Sequence, residues 1–191
     1  MDFNYAGELL KLCEETKLPI SEVMKRREMD FSSMTAQEVE EKMRKSLEIM
    51  KTAAKEPLEN EKPSMGGLIG GEAKLLFSQK GKEKDICGDV VLKAITYAMA
   101  VLEVNASMGV IVAAPTAGSC GVLPAVLLSF AEDFPATEEM LVQALYVAAG
   151  IGKVIAENAS LAGASGGCQA EIGSASAMAA GALVCLQGGD A

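Results

Sequence analysis

The amino-acid sequence predicts an all-α fold, a buried bundle of helices rich in alanine and glycine. Half of its 191 residues are hydrophobic, yet aromatic residues make up only 4% and tryptophan is absent. A core of Ala, Val, Leu, Ile and Met favours closely packed helices over a β-sandwich, which relies on β-branched and aromatic residues. No segment alternates strictly between apolar and polar residues. A short strand over residues 109–114 is the one local alternative.

The first 63 residues are predicted to form a helical N-terminal extension, ahead of a core domain that covers residues 64–191. Apolar residues in the extension recur every three to four positions, as on one face of a helix. Thr35, with Glu38 three residues later, has the pattern of a capping box and marks a helix start. Two prolines in residues 56–63 should then stop that helix. A single compact domain is the alternative to this division.

The core domain is predicted to consist of helices joined by glycine-rich loops. Residues 64–75 form a turn that enters a short helix, and residues 86–103 repeat apolar side chains with helical spacing. Residues 121–131 should be helical again. Thr137 is a suitable N-cap for the next helix, since two glutamates follow it and favour the helix dipole. The last helix is expected over residues 168–187.

Charge and composition exclude several classes of function. The net charge is −9 and the basic residues lie mostly before residue 93, which argues against nucleic acid as a partner. The absence of histidine leaves acid–base chemistry to Lys, Glu, Asp, Tyr and Cys, or to another chain. Five cysteines, an odd number without a secretory signal, predict free or metal-bound thiols in the cytoplasm.

The uncharged stretch between Glu103 and Glu132 is long enough to cross a bilayer. Polar residues, glycines and prolines interrupt it, and a loop at mid-membrane would leave backbone groups without hydrogen bonds. We therefore expect a buried helix–loop–helix and no membrane.

Three glycine-rich loops each precede a predicted helix: SMGGLIGGEAK at residues 64–74, APTAGSCGVLP at 114–124 and AGASGGCQAE at 162–171. Backbone N–H groups at such helix starts favour a carboxylate or a phosphate. None has the spacing of a nucleotide-binding motif. The loops could instead serve only to end helices. We expect residues 66–71, 116–119 and 165–168 to converge on one cavity.

Cys168 is the strongest single candidate for chemistry. It follows two glycines at the predicted start of a helix, where a thiol readily becomes the thiolate that binds metals. The alternative is a small buried hydrophobic residue. Cys120 has a similar but weaker setting, while Cys13, Cys87 and Cys185 are expected to be structural. Without CxxC-type spacing, the chain contains no complete metal-binding motif.

Other polar residues each have a functional and a structural interpretation. Glu171 could be a base or a capping carboxylate, and Lys74 could bind an anion or lie on a solvated helix face. Hydroxyl and amide side chains near the loops could bind a substrate or make turns and caps. The candidates for substrate binding are Gly66, Gly67, Asn105, Ser107, Thr116, Gly118 and Ser119.

Three segments together resemble a known family: MGGLIGGEAKLL, NASMGVIVAAPTAGSCGVLPAVL and ENASLAGASGGCQAEIGSASAMAAGAL. They are similar to the alpha chain, or catalytic domain, of bacterial iron–sulfur-dependent L-serine dehydratase, over roughly residues 1–189. The resemblance implies a 4Fe–4S cluster held by three cysteines, with one iron acting as a Lewis acid on the serine hydroxyl. A base removes the α-proton, and the aminoacrylate product decays to pyruvate and ammonia. Cys168 matches the first cluster cysteine, in the family's GCQ-x-E-x-G motif.

The sequence departs from the family pattern in lacking the later Cys-Asp-Pro-Val-Ala-Gly segment, which ends in Pro-Cys and holds the other two cluster cysteines. We therefore expect a truncated alpha chain that is cluster-free and inactive alone. The resemblance further implies a beta chain as partner, L-serine as substrate and an oligomer. The alternatives are an iron–sulfur cysteine desulfidase and a non-catalytic helical partner subunit.

Overall fold

The computed structural model describes residues 1–81 and 87–190. This part of the chain forms nine α-helices and no β-strand, which confirms the all-α prediction. Residues 109–114, the alternative short strand, have no regular secondary structure. The helices are α1 (Ala6–Thr16), α2 (Ile20–Ser32), α3 (Ala36–Glu59), α4 (Glu72–Phe77), α5 (Asp89–Ala106), α6 (Val122–Asp133), α7 (Glu138–Asn158), α8 (Gly163–Gly166) and α9 (Cys168–Leu186).

The chain folds as two compact units, and the division falls within α3. One unit comprises Met1–Ser46 with Ala136–Ala191, and the other comprises Leu47–Pro135. We call them the first unit and the second unit. The predicted boundary between residues 1–63 and residues 64–191 stays a prediction.

Small residues on α7 and α9 let these two helices of the first unit pack closely. Gly152 of α7 faces Met178, whose sulfur would lie 3.0 Å from an added Cβ, and Gly181 of α9 similarly faces Ile151. Ala175, Ala179 and Ala182 of α9 are buried. A larger residue at these positions would force the helix backbones apart, since protein cores leave little free volume.

The predicted helix starts are confirmed by their caps. The Glu38 N–H donates to Thr35 Oγ1 at 3.3 Å and the Thr35 N–H donates to Glu38 Oε2 at 2.9 Å, which is a reciprocal capping box. Thr137 Oγ1 accepts the Met140 N–H at 3.3 Å at the start of α7. Each cap satisfies backbone donors that the first turn of a helix leaves without partners.

The second unit is built around a core cluster to which α3, α5 and α6 contribute. The predicted end of α3 within residues 56–63 is confirmed, since α3 ends at Glu59, but the helix continues through Pro57 before it stops. Pro57 lies in the last turn, where it removes one hydrogen bond, and its ring is fully buried. The helix predicted from residue 86 is α5. It begins at Asp89, after the N-cap Gly88, and Ile86 lies outside the described residues.

Within the described residues, two helices, α7 and α9, are long and apolar enough to cross a membrane by length and composition. Both lie outside the uncharged stretch that the sequence singled out. They pack against each other, and half of the apolar stretch of α7 is buried inside the protein. The core helices of soluble proteins pass the same test, so this is weak evidence for a membrane.

Candidate functional site

Asn105 connects two of the segments that the sequence singled out in the second unit. It lies in the last turn of α5, and its Nδ2 donates to the Ala117 carbonyl oxygen at 3.0 Å. The next candidate, Ser107, is the C-cap of α5, and its Oγ donates to the Val104 oxygen at 3.0 Å. The end of α5 is therefore fastened to the loop that precedes α6.

That loop, residues 114–121, is closed by its own hydroxyl groups. The Oγ atoms of Thr116 and Ser119 lie 3.0 Å apart, and the Thr116 N–H lies 3.4 Å from Ser119 Oγ. Ser119 is only 1% exposed, so its hydroxyl stabilises the loop through a buried hydrogen bond to Thr116. Thr116 is half-buried and Gly118 is exposed. Of the three candidates here, Thr116 and Gly118 are the ones that a solute can reach.

The glycine-rich loop over residues 64–71 is closed at its base by Ser64. The Ser64 N–H donates to the Ile69 oxygen at 2.7 Å, and the Ile69 N–H donates to Ser64 Oγ at 3.2 Å. Gly66 and Gly67 lie at the exposed tip, where an added Cβ would meet no atom within 4 Å. Their backbone is therefore open to approach. Lys74, on α4, is exposed and pairs with Glu61 at 3.4 Å, as a solvated helix face would.

Glu103 is a buried carboxylate that the sequence interpretation missed. It lies on α5 two residues before Asn105, is 2% exposed, and its Oε1 accepts the Ala73 N–H of α4 at 2.8 Å. The signal was present, because Glu103 follows the buried Thr96 by seven positions and the buried Ala100 by three. A carboxylate on the buried face of an apolar helix needs a partner or a function.

Cys168 is the first residue of α9 and is exposed. It follows Gly167, which has φ +75° and accepts the Ala170 N–H at 3.0 Å through its oxygen. That left-handed backbone conformation favours glycine and turns the chain into the helix. Glu171, in the first turn, is half-buried, and its Oε2 would lie 2.4 Å from a Cβ added to Gly163. Gly163 therefore leaves the space that the Glu171 carboxylate occupies.

The cysteines differ in how far the protein buries their thiols. Cys120 is fully buried, and burial raises its pKa to about 11. Burial also raises the pKa values of Cys13 and Cys185. Cys87 and Cys168 are exposed. A thiol that stays protonated is a poor metal ligand, so the structure favours Cys168 over Cys120 for that role.

The candidate residues are divided between the two units. Cys168 and Glu171 belong to the first unit, and the other candidates belong to the second. Within residues 1–81 and 87–190, no three His, Cys, Asp or Glu side chains form a group suited to a metal ion. The convergence of the three loops on one cavity stays a prediction.

Comparison with known proteins identifies similar sequences over nearly the whole chain. A family model described as "Serine dehydratase alpha chain" matches residues 15–191, a range that contains all three glycine-rich loops. A probable L-serine dehydratase alpha chain of Bacillus subtilis strain 168 is 41% identical over 187 residues, which are 98% of this chain and 62% of the relative.

Two further relatives have similar names. The L-serine dehydratase alpha chain of Peptoniphilus asaccharolyticus is 40% identical over 186 residues, covering 97% of this chain and 64% of its own length. The L-serine dehydratase TdcG of Escherichia coli K12 is 36% identical over 194 residues, covering 98% of this chain and 42% of its own length. The chain thus spans less than two thirds of the length of each of these relatives.

Proposed function

Because the chain belongs to the serine dehydratase alpha chain family, we propose that it is the alpha subunit of an L-serine dehydratase, a lyase that forms pyruvate and ammonia. The observation that carries the proposal is the family match over residues 15–191, which includes every candidate site residue. The proposal extends to a beta chain as partner, an oligomeric enzyme and a cytoplasmic location. Relatives named as alpha chains support the beta chain.

The reaction requires two bonds of L-serine to break. Loss of the α-proton and of the β-hydroxyl, as water, leaves aminoacrylate, and addition of water to the aminoacrylate yields pyruvate and ammonia. The substrate offers a carboxylate, an ammonium group and a hydroxyl to the protein. A site for it therefore needs exposed N–H donors, polar side chains and a base.

The end of α5 and its neighbouring loops are the proposed binding surface for L-serine. Exposed backbone at Gly66 and Gly118 offers N–H groups to the substrate carboxylate. The Gly67 N–H donates to the Ser64 oxygen at 2.9 Å, so Gly67 contributes by shaping the tip of the loop. Thr116 offers a hydroxyl, and Asn105 positions the loop through its bond to the Ala117 oxygen. Ser107 and the buried Ser119 support the same surface by fixing the end of α5 and the loop.

Glu171 and Lys74 are the two candidates for proton transfer. Lys74 is exposed on α4 and is already engaged in an ion pair with Glu61 at 3.4 Å. Glu171 is a half-buried carboxylate in the first turn of α9, three residues after Cys168. We therefore favour Glu171 as the group that accepts the α-proton.

The 4Fe–4S cluster that the resemblance implies requires three thiolate ligands. Cys168 is exposed and has a suitable position, but the described residues supply no ligand group around it. The described chain alone therefore does not fit the cluster, and no step of the reaction is assigned to it. Cys168 remains the proposed ligand from this chain.

The proposal is tested by measuring pyruvate and sulfide release by the intact protein with its beta chain under anaerobic conditions. Pyruvate from L-serine supports the proposal. Faster sulfide release from L-cysteine would favour a desulfidase, and no turnover of either amino acid would favour a non-catalytic partner subunit. Glu171→Gln should lower kcat by about 100-fold or more, as loss of a general base does. Glu157→Gln, a change to an exposed carboxylate on α7, is the matched control and should leave kcat unchanged.

A further inference from the structure

We propose that the first unit contains a binding site for an aliphatic α-amino acid, at the start of α2 and the end of α9. Two cavities form the site, and they adjoin because the same four residues line both: Pro19, Ser21, Cys185 and Gly189. Every lining residue belongs to the first unit, so the site shares no residue with the proposed L-serine surface in the second unit. The inference goes beyond the proposed function and does not depend on it.

The first cavity is apolar and has a volume of about 260 Å³. Helices α1, α2, α7 and α9 supply its aliphatic walls, which are formed by Leu10, Ile20, Val147, Ile151 and Val184. Leu10 is 43% exposed and Val184 is 53% exposed, so the cavity is open to a solute. A branched aliphatic side chain that enters it would remove apolar surface from water, which is favourable.

The start of α2 offers hydrogen-bond donors beside the apolar cavity. The N-cap residue is Pro19, which makes no side-chain cap, and its oxygen accepts the Glu22 and Val23 N–H groups at 3.0 and 3.1 Å. The N–H groups of Ile20 and Ser21 have no acceptor in the described chain. Free N–H groups at a helix start, together with the helix dipole, favour a carboxylate.

Ser21 is an independent indication of a ligand. It is 8% exposed and lines both cavities, yet its Oγ forms no hydrogen bond with any residue that the structure describes. A hydroxyl on a side chain that is nine-tenths buried normally has a partner, because leaving it without one costs free energy. Ser21 Oγ and the two free N–H groups lie on one helical turn and supply three donors to a carboxylate.

Charged groups around the two cavities favour a zwitterion over a simple anion. The second cavity has a volume of about 480 Å³ and is lined by three glutamates and one lysine. Each glutamate has a basic partner, in the pairs Glu22–Arg26, Glu40–Lys25 and Glu139–Arg44. Asp190, which lines the apolar cavity, forms no ion pair with the described residues. Its carboxylate would repel a simple anion and attract the ammonium group of an amino acid.

The three groups on the α-carbon of an aliphatic amino acid therefore match three parts of the site. The carboxylate accepts hydrogen bonds at the start of α2, and the side chain enters the apolar cavity. The ammonium group faces Asp190, which follows directly after Gly189, a residue that lines both cavities together with Ser21. L-Serine has the same two charged groups but no aliphatic side chain, so it should bind here only weakly.

Isothermal titration calorimetry of the intact protein tests the class of ligand. L-Leucine should bind saturably, and affinity should rise about threefold or more for each carbon added from L-alanine to L-valine to L-leucine. Two analogues that each lack one charged group, 4-methyl-2-oxopentanoate and 3-methylbutylamine, should bind at least about tenfold more weakly. Equal affinity for either analogue, or no binding of any aliphatic amino acid, would overturn the proposal.

Variants of Ser21 test the carboxylate contact. Ser21→Ala should weaken L-leucine binding about tenfold, as loss of a hydrogen bond to a charged group does. Ser21→Asp should weaken it at least about 30-fold by repulsion, while an acidic residue in the first turn suits the dipole of α2. Ser32→Ala, at the other end of α2 and outside both cavities, is the matched control and should leave the affinity unchanged. Parent affinity in both Ser21 variants would contradict the assignment.

Asp190→Asn tests the ammonium contact without altering the helices. It should weaken L-leucine binding about tenfold and leave the affinity for 4-methyl-2-oxopentanoate no weaker than in the parent protein, because that analogue has no ammonium group. Equal weakening of both ligands would show that Asp190 does not recognise the ammonium group, and would overturn the choice of an amino acid.

Two further measurements locate the bound amino acid. Saturating L-leucine should slow hydrogen exchange at the Ile20 and Ser21 N–H groups at least about tenfold. It should also slow alkylation of Cys185, which lines both cavities, and leave the exposed Cys87 unaffected. Binding without either change would place the ligand elsewhere and overturn the site. None of these measurements requires turnover, so failure of the proposed function would leave them unchanged.

Discussion

Two glycine-rich loops, residues 114–121 and residues 162–168, carry a cysteine in similar sequence settings but place the thiol differently. Cys120 is fully buried in the core cluster of the second unit, while Cys168 is exposed at the start of α9. In the first loop Gly121 packs against the Ala98 backbone, which leaves the adjacent Cys120 inside. In the second loop Gly167 turns the chain so that the helix begins in solvent. The packing around a loop, more than its composition, therefore decides whether its thiol can react.

The largest expected difference between the loops is in thiol reactivity. Iodoacetamide should modify Cys168 at least about 100-fold faster than Cys120, because a buried thiol reacts only when its surroundings open. Peptide mass spectrometry of the intact, chelator-treated protein measures both rates. Exposed Cys87 and buried Cys13 serve as internal references. Equal rates at Cys120 and Cys168 would remove the basis of the comparison.

The next effect concerns the close approach at Gly121. Alanine there would place its Cβ 2.6 Å from the Ala98 carbonyl oxygen, a backbone atom that cannot move cheaply. Gly121→Ala should lower the free energy of unfolding by about 1–3 kcal/mol, as overpacking does.

Gly173→Ala is the matched control, because Gly173 lies within α9 and an added Cβ meets nothing within 4 Å. It should raise the free energy of unfolding by about 0.5–1 kcal/mol, since alanine favours the helix. Urea unfolding of the intact protein measures both changes. If Gly121→Ala left the free energy of unfolding unchanged, α5 and the start of α6 would be able to move apart without loss of stability.

The buried thiol should also make stability depend on pH. Its pKa is raised from 9.0 to about 11, so between these values the folded chain retains a proton that the unfolded chain loses. The free energy of unfolding should therefore fall, on the order of 1–2 kcal/mol, as the pH rises through this window. The parent protein and Cys120→Ala should be compared, because the raised pKa of Tyr146, about 12, is common to both. A slope that persists in Cys120→Ala would assign the effect to other groups.

The smallest expected difference between the loops is in how much their serine hydroxyl groups contribute to the free energy of unfolding. Ser119→Ala should cost about 1 kcal/mol, because its buried hydroxyl is bonded to Thr116. Ser165→Ala should cost less than about 0.5 kcal/mol, because Ser165 is exposed and water can replace its hydrogen bonds with Ser160 and Ala162. Thermal unfolding of both variants measures the difference, and a larger cost at Ser165 would reverse the ranking of the loops.

Helix starts were predictable because their signals are local. Thr35 with Glu38, and Thr137 with the acidic residues after it, cap their helices as predicted. The end of α3 within residues 56–63 was predictable as well, but its passage through Pro57 was not. The cost of a proline in a helix depends on where it lies in the turn and on how deeply its ring is buried. Both depend on neighbours that are distant in sequence.

The candidate site was less predictable than the helices. The loops and their residue types could be identified, yet the bond from Asn105 to Ala117 joins residues across a loop whose fold was unknown. Glu103 was visible as a carboxylate on an apolar helix face, but its hydrogen bond from the Ala73 N–H depends on how α4 packs against α5.

The resemblance of three motifs identified the family. Composition and local pattern were sufficient for the all-α class, the capped helix starts and the three glycine-rich loops. These properties depend on the spacing of apolar residues and on contacts within a few positions. Three-dimensional packing was needed to distinguish Cys168 from Cys120 and to bring Glu103 to Ala73. Burial and long-range hydrogen bonds depend on which helix faces meet, and that is a property of the whole folded unit.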